Sequence, residues 1–224
     1  MVKLISRLGK CVISKSAALF GNQINKSDSP VLTGFMAEIN KVPGMISITQ
    51  ALVYYWINFT QGQEGDVLEI GCWQGRSTIA LAQACKDSGN GIVHAVDHFK
   101  GNPGKKIHYV IEKEDLSDLQ QNFQRNISNA GLSEFVSLYA ENVDQVAISG
   151  KIRLLVIDGE HSYNAVLSDF LRFRKMLTAG AIAIFDDYSE DFPEVIQAVE
   201  KIHKEESGSK ISRWGQMAVL TFPG

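Results

Sequence analysis

Short apolar runs alternate with longer amphipathic segments along most of the chain after residue 65. The apolar runs predict five buried strands: Asp66–Ile70, Ile92–Asp97, Val136–Ala140, Ile152–Asp158 and Ala181–Asp186. The segments between them have helical spacing: Arg76–Lys86, Leu116–Ala130, Ala165–Leu177 and Phe192–Lys204. Nearly continuous apolar strands that alternate with helices are typical of a parallel sheet covered by helices on both faces.

The carboxyl-terminal part of the chain breaks this alternation. Ile211–Trp214 and Met217–Phe222 are two strand-like runs separated by little more than Gly215. This connection is too short for a crossover helix, so we expect a hairpin with antiparallel pairing. The pattern therefore predicts the α/β class, with a Rossmann-like, doubly wound sheet of seven strands that is mostly parallel and has an antiparallel C-terminal hairpin strand. The ordinary dinucleotide-binding fold has six parallel strands instead.

The first part of the chain has a different pattern. Residues 1–45 are predicted to be a helical extension with a linker, and residues 46–224 to be the α/β domain, which opens on a capping box of Ser47 and Gln50. In residues 1–20, basic and apolar side chains fall on opposite faces of a helix. This helix could make weak peripheral contact with a membrane, or it could pack on the domain or on a second copy.

Composition and charge narrow the class of protein. The chain has 224 residues, 45% of them hydrophobic, and a net charge of −3, which argues against a nucleic-acid partner. Its three cysteines have no CxxC spacing, so a disulfide framework or a zinc ribbon is not expected and a reducing compartment fits best. Without an apolar run near the roughly 20 residues of a spanning helix, no transmembrane segment is predicted, and we expect a cytoplasmic protein.

A glycine loop follows the first predicted strand. Gly71 and Gly75 allow a tight turn from strand to helix, and Glu69 precedes them by two residues. The spacing is G-x-x-x-G, whereas dinucleotide-binding proteins use G-x-G-x-x-G. The N–H groups that open the next helix would bind an anion, which in S-adenosylmethionine is the methionine carboxylate. Glu69 could orient the loop or accept from the ammonium group of the cofactor; the alternative is a plain strand-to-helix turn.

Acidic residues also end the next two strands. Asp97 ends the second strand, where a carboxylate can accept hydrogen bonds from both ribose hydroxyls. Glu141 and Asn142 follow the third strand, where an adenine ring would reach. A capping aspartate and a surface glutamate are the simpler interpretations of Asp97 and Glu141.

A second group of carboxylates follows the fourth and fifth strands. Asp158 ends one strand, and Asp186 and Asp187 end the other, so all three are expected to meet in one crevice. Carboxylates that lie close together repel each other unless a cation sits between them, and hard oxygen ligands suit Mg²⁺. His161 follows closely and is a candidate general base. The alternatives are separate strand-end caps and a histidine that orients Tyr163 or an aspartate.

These motifs resemble a known family. The loop Glu69-x-Gly71-x-Trp73-x-Gly75-x-Ser77 resembles the cofactor loop of catechol O-methyltransferase and its bacterial relatives, and the aspartate trio resembles their metal triad. The stretches 157–163 and 185–188 are similar to macrocin-type sugar O-methyltransferases. The resemblance covers about Ile46 to Phe222 and identifies residues 46–224 as a class I S-adenosylmethionine-dependent methyltransferase domain of the bacterial metal-dependent O-methyltransferase group.

The resemblance implies an enzyme that uses S-adenosylmethionine and Mg²⁺ to methylate a hydroxyl of a small-molecule acceptor, and relatives of this kind are often homodimers. The catechol enzymes have a lysine at the position of His161, so a sugar or another natural product is at least as good an acceptor as a catechol. Other interpretations stay open: a metal-independent methyltransferase, an S-adenosylmethionine-binding protein without turnover, and an NAD-dependent oxidoreductase.

The candidate site residues fall into three groups. The candidate cofactor-binding residues are Glu69, Gly71, Trp73, Gly75, Ser77, Asp97, His98, Glu141, Asn142 and Asp158. The candidate catalytic residues are His161 and Asp158, and the candidate metal ligands are Asp158, Asp186 and Asp187. Lys105 and Lys106 lie in a basic, glycine-containing loop that either covers the acceptor or is simply solvated.

Overall fold

One sheet of seven strands forms the centre of the molecule. A computed structural model describes residues 30–101 and 116–224. The strands are β1 (Asp66–Ile70), β2 (Val93–Val96), β3 (Val136–Tyr139), β4 (Ile152–Ile157), β5 (Leu177–Phe185), β6 (Lys210–Trp214) and β7 (Met217–Thr221). Their order is β3-β2-β1-β4-β5-β7-β6. Strands β1 to β5 pair in parallel, and β7 runs antiparallel to both of its neighbours. The predicted Rossmann-like sheet with its closing hairpin is confirmed.

Helices cover both faces of the sheet. In the described residues they are α1 (Pro30–Lys41), α2 (Ile48–Thr60), α3 (Arg76–Ser88), α4 (Leu119–Asn129), α5 (Tyr163–Phe173) and α6 (Pro193–Glu205). The predicted helix over 116–130 begins with a 3₁₀ turn, Leu116–Asp118, and the one predicted to end at Leu177 stops at Phe173, before another 3₁₀ turn. Leu177 is the first residue of β5, and the register between β5 and β4 is irregular near this point. The irregularity interrupts the alternation of side chains that would mark the start of the strand.

The core has two halves, one on each face of the sheet. The first joins α2, α3 and α4 to one set of strand residues, and the second joins α5 and α6 to the other set. All six residues of β4 are buried, as expected for a central strand covered on both faces. Ile39, Val42 and Ile46 belong to the first half of the core. Part of the predicted extension therefore packs directly on the domain.

A buried arginine joins several elements at the amino edge of the sheet. Arg153 is fully buried near the start of β4. Its Nε donates to the carbonyl of Gly65 at 2.8 Å, and its Nη2 donates to the carbonyl of Asn90 at 2.6 Å. Its Nη1 donates to the side chain of Asn58. The guanidinium thus ties α2 to the segments that lead into β1 and β2.

Some expectations concern parts of the chain that the structure does not describe. Three of these parts lie outside the described residues: the amphipathic helix of residues 1–20, the rest of the predicted extension before residue 30, and the loop containing Lys105 and Lys106. Within residues 30–101 and 116–224, no helix is long and apolar enough to cross a membrane.

Candidate active site

A cleft of about 610 Å³ lies at the carboxyl edge of the sheet. It is lined by residues that follow strands β1 to β5, and it contains all the predicted site residues except Glu69 and Gly75. The carboxyl edge of a doubly wound sheet is where such folds bind ligands. The topology therefore gathers side chains that are as far apart in sequence as Gly71 and Asp187.

The glycines of the loop after β1 are required by close packing. Gly71 has a φ of +84°, and a Cβ added there would lie 2.1 Å from the carbonyl oxygen of Asp158. Gly75 has a φ of +91° and precedes α3, where an added Cβ would lie 3.1 Å from the ring of Phe123. Only glycine tolerates these conformations at such short approaches. The loop is consequently pressed against β4 on one side and α4 on the other.

Asp97 holds the same loop from the end of β2. Its Oδ2 accepts from the backbone N–H of Cys72 at 3.1 Å and of Trp73 at 2.9 Å. Its Oδ1 accepts from the N–H of Phe99 at 2.7 Å. A carboxylate has about four acceptor positions, so Asp97 can shape the loop and still accept a hydrogen bond from a ligand in the cleft.

Glu69 lies behind the loop, outside the lining of the cleft. It is fully buried, and the hydroxyl of Thr78 donates to its Oε2 at 2.5 Å. Burial raises the pKa of Glu69 to about 7. Of the two roles predicted for Glu69, this position fits orientation of the loop better than direct contact with a ligand.

The cleft is rich in acidic side chains. Those that line it are Asp97, Glu141, Asp144, Asp158, Glu160, Asp169, Asp186 and Asp187. The basic and imidazole side chains of its described lining are Arg76, His98 and His161. Arg76 donates to the carbonyls of Val42 at 2.8 Å and Ile46 at 2.6 Å, so its guanidinium fixes the wall formed by residues 42–46. The cleft therefore favours a ligand that carries positive charge.

Three side chains converge at the ends of β4 and β5. His161 Nε2 lies 3.0 Å from Asp187 Oδ2. Potential ligand atoms of Asp158, His161 and Asp187 all lie within 4.8 Å of one another. Burial raises the pKa of Asp158 well above its usual range, and the negative charges of Asp186 and Asp187 raise it further. A cation bound here would relieve this repulsion.

Asp186 is engaged in a different way from the other two aspartates. Its carboxylate accepts from the hydroxyl of Tyr54 at 3.1 Å, from Gln50 Nε2 at 3.2 Å and from the N–H of Asp187 at 2.9 Å. The role of Asp186 as a metal ligand therefore stays a prediction. The side chains whose potential ligand atoms lie close together are those of Asp158, His161 and Asp187. The carboxylate oxygens suit Mg²⁺, whereas an imidazole nitrogen suits a transition metal better.

Gln50 and Tyr54 are site residues that the sequence did not identify. Gln50 completes the predicted capping box of α2, because its Oε1 accepts from the N–H of Ser47 at 2.8 Å while its Nε2 reaches Asp186. The capping pattern was visible in the sequence. The contact with Asp186 was not, because it joins positions 136 residues apart.

Strained backbone is concentrated around the cleft. Among the described residues, the non-glycine residues with a positive φ are Trp73, Phe99 and Asp187, with values of 46°, 56° and 55°. Each follows a different strand, at the edge where the cleft lies. Such conformations cost on the order of 1–3 kcal/mol and are typically retained at functional sites. This clustering is a second, independent indication that the carboxyl edge carries the function.

Sequence comparison finds partial matches to two proteins. Uncharacterized protein R132 of Acanthamoeba polyphaga mimivirus is 35% identical over 75 residues, which cover 32% of this chain and 34% of that protein. Mycinamicin III 3''-O-methyltransferase of Micromonospora griseorubida is 29% identical over 144 residues, covering 57% of this chain and 56% of that protein. The matches thus span about a third and about half of these relatives.

A solved structure and a family match complete the comparison. An O-methyltransferase from Bacillus cereus, solved in complex with SAH, superposes with a TM-score of 0.64 at 16% identity, covering 93% of this chain and 98% of that one. Residues 68–188, more than half of the chain, match the methyltransferase domain family from within β1 to just beyond Asp187. The chain therefore belongs to the methyltransferase domain family.

Proposed function

We propose that the protein is an S-adenosylmethionine-dependent O-methyltransferase that acts on a hydroxyl of a small acceptor, such as a sugar or another natural product. One observation carries this proposal: the glycine loop held by Asp97 and the cluster of Asp158, His161 and Asp187 line the same cleft. A methyl donor and an acceptor hydroxyl must lie side by side for direct transfer. The mycinamicin and Bacillus cereus relatives, both O-methyltransferases by name, support the same choice.

The cofactor would lie along the ends of β1, β2 and β3. The N–H groups at the start of α3 would bind its carboxylate, with Ser77 in the same turn. Asp97 would accept from the ribose, and Glu141 would accept from the adenine amino group. The acidic lining also suits the positive sulfonium of the donor. His98, Trp73 and Asn142 complete the lining of this part of the cleft.

The acceptor hydroxyl would lie at the ends of β4 and β5. Asp158 and Asp187 would hold a divalent cation, with Asp186 as a further candidate, and such an ion lowers the pKa of a hydroxyl next to it. His161 Nε2, 3.0 Å from Asp187 Oδ2, would donate its N–H to that carboxylate, so Nδ1 would take the proton of the hydroxyl and Asp187 would stabilise the imidazolium that results. The oxygen then forms its bond to the methyl carbon while the carbon–sulfur bond breaks, which releases S-adenosylhomocysteine.

A metal-independent reaction is the second candidate, and the pairing of His161 with Asp187 favours it. This pair can orient and stabilise the base without an ion.

We also propose a cytoplasmic location, because Cys72 and Cys85 are buried free thiols. A homodimer stays a prediction from the resemblance.

Calorimetric titration with S-adenosylhomocysteine tests the cofactor class. We expect one-to-one micromolar binding that weakens at least tenfold in Asp97→Asn, because the variant loses charge on the carboxylate that holds the loop. Glu134→Gln removes an exposed carboxylate outside the cleft and is the matched control. Equal affinity in Asp97→Asn and the control, or no binding by the wild-type protein, would contradict the proposal.

Turnover with and without EDTA separates the metal-dependent mechanism from the metal-independent one. In the metal mechanism the chelator abolishes methyl transfer, and added Mg²⁺ or Mn²⁺ restores it.

His161→Ala is expected to slow turnover by about 10²–10⁴-fold if His161 is the base. A fall of less than threefold would leave His161 with an orienting role only.

A further inference from the structure

A second, smaller pocket adjoins the cleft where α2 meets the β6–β7 hairpin. Its volume is about 230 Å³. It lies between the amino end of α2, with Thr49, Gln50 and Val53, and the hairpin tip, with Trp214 and Gln216. Gln50 and Gln216 line both the pocket and the cleft, so the two spaces adjoin at these side chains. A molecule bound in the pocket would therefore have one end directed towards the acidic cluster.

The walls of the pocket have two kinds of surface. Trp214, Val53 and Met217 supply apolar surface, and Met217 is buried. Thr49 and Gln216 supply hydroxyl and amide groups. An aromatic face next to hydrogen-bonding groups suits a ligand with an apolar C–H face and polar edges. A pyranose ring has this character.

Hydrogen bonds within the protein hold the hairpin tip in place. Trp214 Nε1 donates to Ser212 Oγ at 3.1 Å, which sets the orientation of the indole. Arg213 Nε donates to the carbonyl of Gly215 at 3.0 Å across the turn. The N–H of Tyr188 donates to the carbonyl of Gln216 at 2.7 Å, which joins the tip to the loop that carries Asp187. Preorganised side chains lose less entropy when a ligand binds.

We propose that this pocket is the acceptor subsite and that it binds one pyranose ring, with the indole of Trp214 against the C–H face and Thr49 and Gln216 bonded to ring hydroxyls. The proposal rests on the O-methyltransferase function proposed above. The pocket is smaller than the roughly 300–1,000 Å³ of drug-sized ligand sites, so it fits a single sugar ring rather than a whole glycoside. The rest of a larger acceptor would extend into solvent past the hairpin.

Gln50 connects this subsite to the chemistry. Its Nε2 lies 3.2 Å from Asp186 Oδ1, so a side chain at the border between pocket and cleft contacts the aspartate next to Asp187. A ring hydroxyl directed past Gln50 would enter the cleft that Asp158, His161 and Asp187 line. The subsite would therefore present a hydroxyl of the ring to the proposed point of transfer.

The experiment uses saturation-transfer NMR on the full chain with three probes: methyl α-rhamnopyranoside, methyl β-glucopyranoside and methyl β-galactopyranoside, each with S-adenosylhomocysteine present. We expect at least one glycoside to bind, and Trp214→Ala to weaken its binding at least tenfold. Trp56→Ala is the matched control, because Trp56 lies on α2 but lines neither pocket. Gln216→Ala changes an exposed side chain and is expected to weaken binding of the glycoside at least threefold. It replaces Trp214→Ala as the test variant if that protein does not fold.

The outcomes separate the subsite from the proposed function. Calorimetry with S-adenosylhomocysteine is done on each variant, and we expect affinities within twofold of the wild type. If the cofactor product binds but no glycoside does, or if both pocket variants bind glycoside as well as the wild type does, the subsite is wrong while the methyltransferase function stands. If the wild-type protein does not bind S-adenosylhomocysteine, the proposed function fails and the subsite fails with it.

Discussion

Gly71 stands where the loop after β1 touches the end of β4. A Cβ at this position would lie 2.1 Å from the carbonyl oxygen of Asp158, and the φ of +84° disfavours any other residue. We expect Gly71→Ala to lower the free energy of unfolding by about 2 kcal/mol or more and to abolish binding of S-adenosylhomocysteine. Urea denaturation and calorimetry measure the two effects. Gly62→Ala is the control, because a Cβ there meets nothing within 4 Å; equal stability of the two variants would contradict the prediction.

Glu69 gives the stability of the protein a pH dependence of known sign. Burial raises its pKa to about 7 in the folded protein, against an ordinary value of 4.5. The folded state therefore binds the proton more tightly than the unfolded state does, and stability falls as the pH rises through the window from 4.5 to about 7.

Glu69→Gln removes this ionisation and keeps an acceptor for Thr78. We expect the variant to gain about 2–3 kcal/mol relative to the wild type between pH 5 and pH 8, since each pKa unit corresponds to about 1.4 kcal/mol. Urea denaturation of both proteins at the two pH values measures this gain. Glu134→Gln, on the surface, should show no such difference. A gain of the same size in both variants would rule out the buried carboxyl as its source.

The residues that were predictable from the sequence are those placed by local geometry. Gly71 and Asp97 follow apolar runs directly, and parallel strands bring their carboxyl ends to one edge of the sheet. Tyr54 and Gln50 could not be predicted, since their contact with Asp186 depends on how α2 packs across the sheet. The contact of His161 with Asp187 was open for the same reason: it depends on the loops after two different strands.

At the scale of elements, the segment between α1 and α2 forms one wall of the cleft and is held mainly through Arg76 on α3. Arg76 donates to the carbonyls of Val42 and Ile46. We expect Arg76→Met to speed amide hydrogen exchange in residues 42–46 about tenfold, because hydrogen bonds to a charged group contribute roughly 1.5–3 kcal/mol. The affinity for S-adenosylhomocysteine should fall by about three- to tenfold as this wall loosens.

Hydrogen exchange with mass spectrometry, together with calorimetry, measures both effects. Arg125→Met, on the exposed side of α4, is the control and should leave exchange in residues 42–46 unchanged. Unchanged exchange in Arg76→Met would mean that core contacts of Val42 and Ile46 alone hold the segment.

Element types were largely predictable, but some boundaries were not. The hairpin could be predicted because a connection as short as that between β6 and β7 permits antiparallel pairing alone. The start of β5 at Leu177 could not be predicted, because the register between β4 and β5 shifts before Ile182 and the alternation of side chains is lost. The place of α1 in the core also depends on tertiary packing, since this helix packs against α2 and α3.

At the scale of the whole molecule, the net charge of −3 understates the acidity of the cleft, because eight acidic side chains and three basic or imidazole side chains line it in the described part of the chain. S-adenosylmethionine carries one more positive charge than its demethylated product. We therefore expect the Kd for S-adenosylmethionine to rise several-fold between about 50 and 500 mM NaCl, while that for S-adenosylhomocysteine changes by less than twofold. Calorimetric titrations over this salt range test the difference. Equal salt dependence for the two ligands would contradict a role of the field in favouring substrate over product.

The Arg153 network lies at the opposite edge of the sheet from every residue proposed to meet a ligand. It joins α2 and the segments before β1 and β2 through backbone carbonyls and one amide, and none of these partners lines the cleft. Mutations in the hairpin tip or around the amino end of α2 therefore leave these hydrogen bonds of Arg153 unchanged. The proposed acceptor subsite can therefore be altered at the carboxyl edge of the sheet while the contacts of Arg153 at the amino edge are retained.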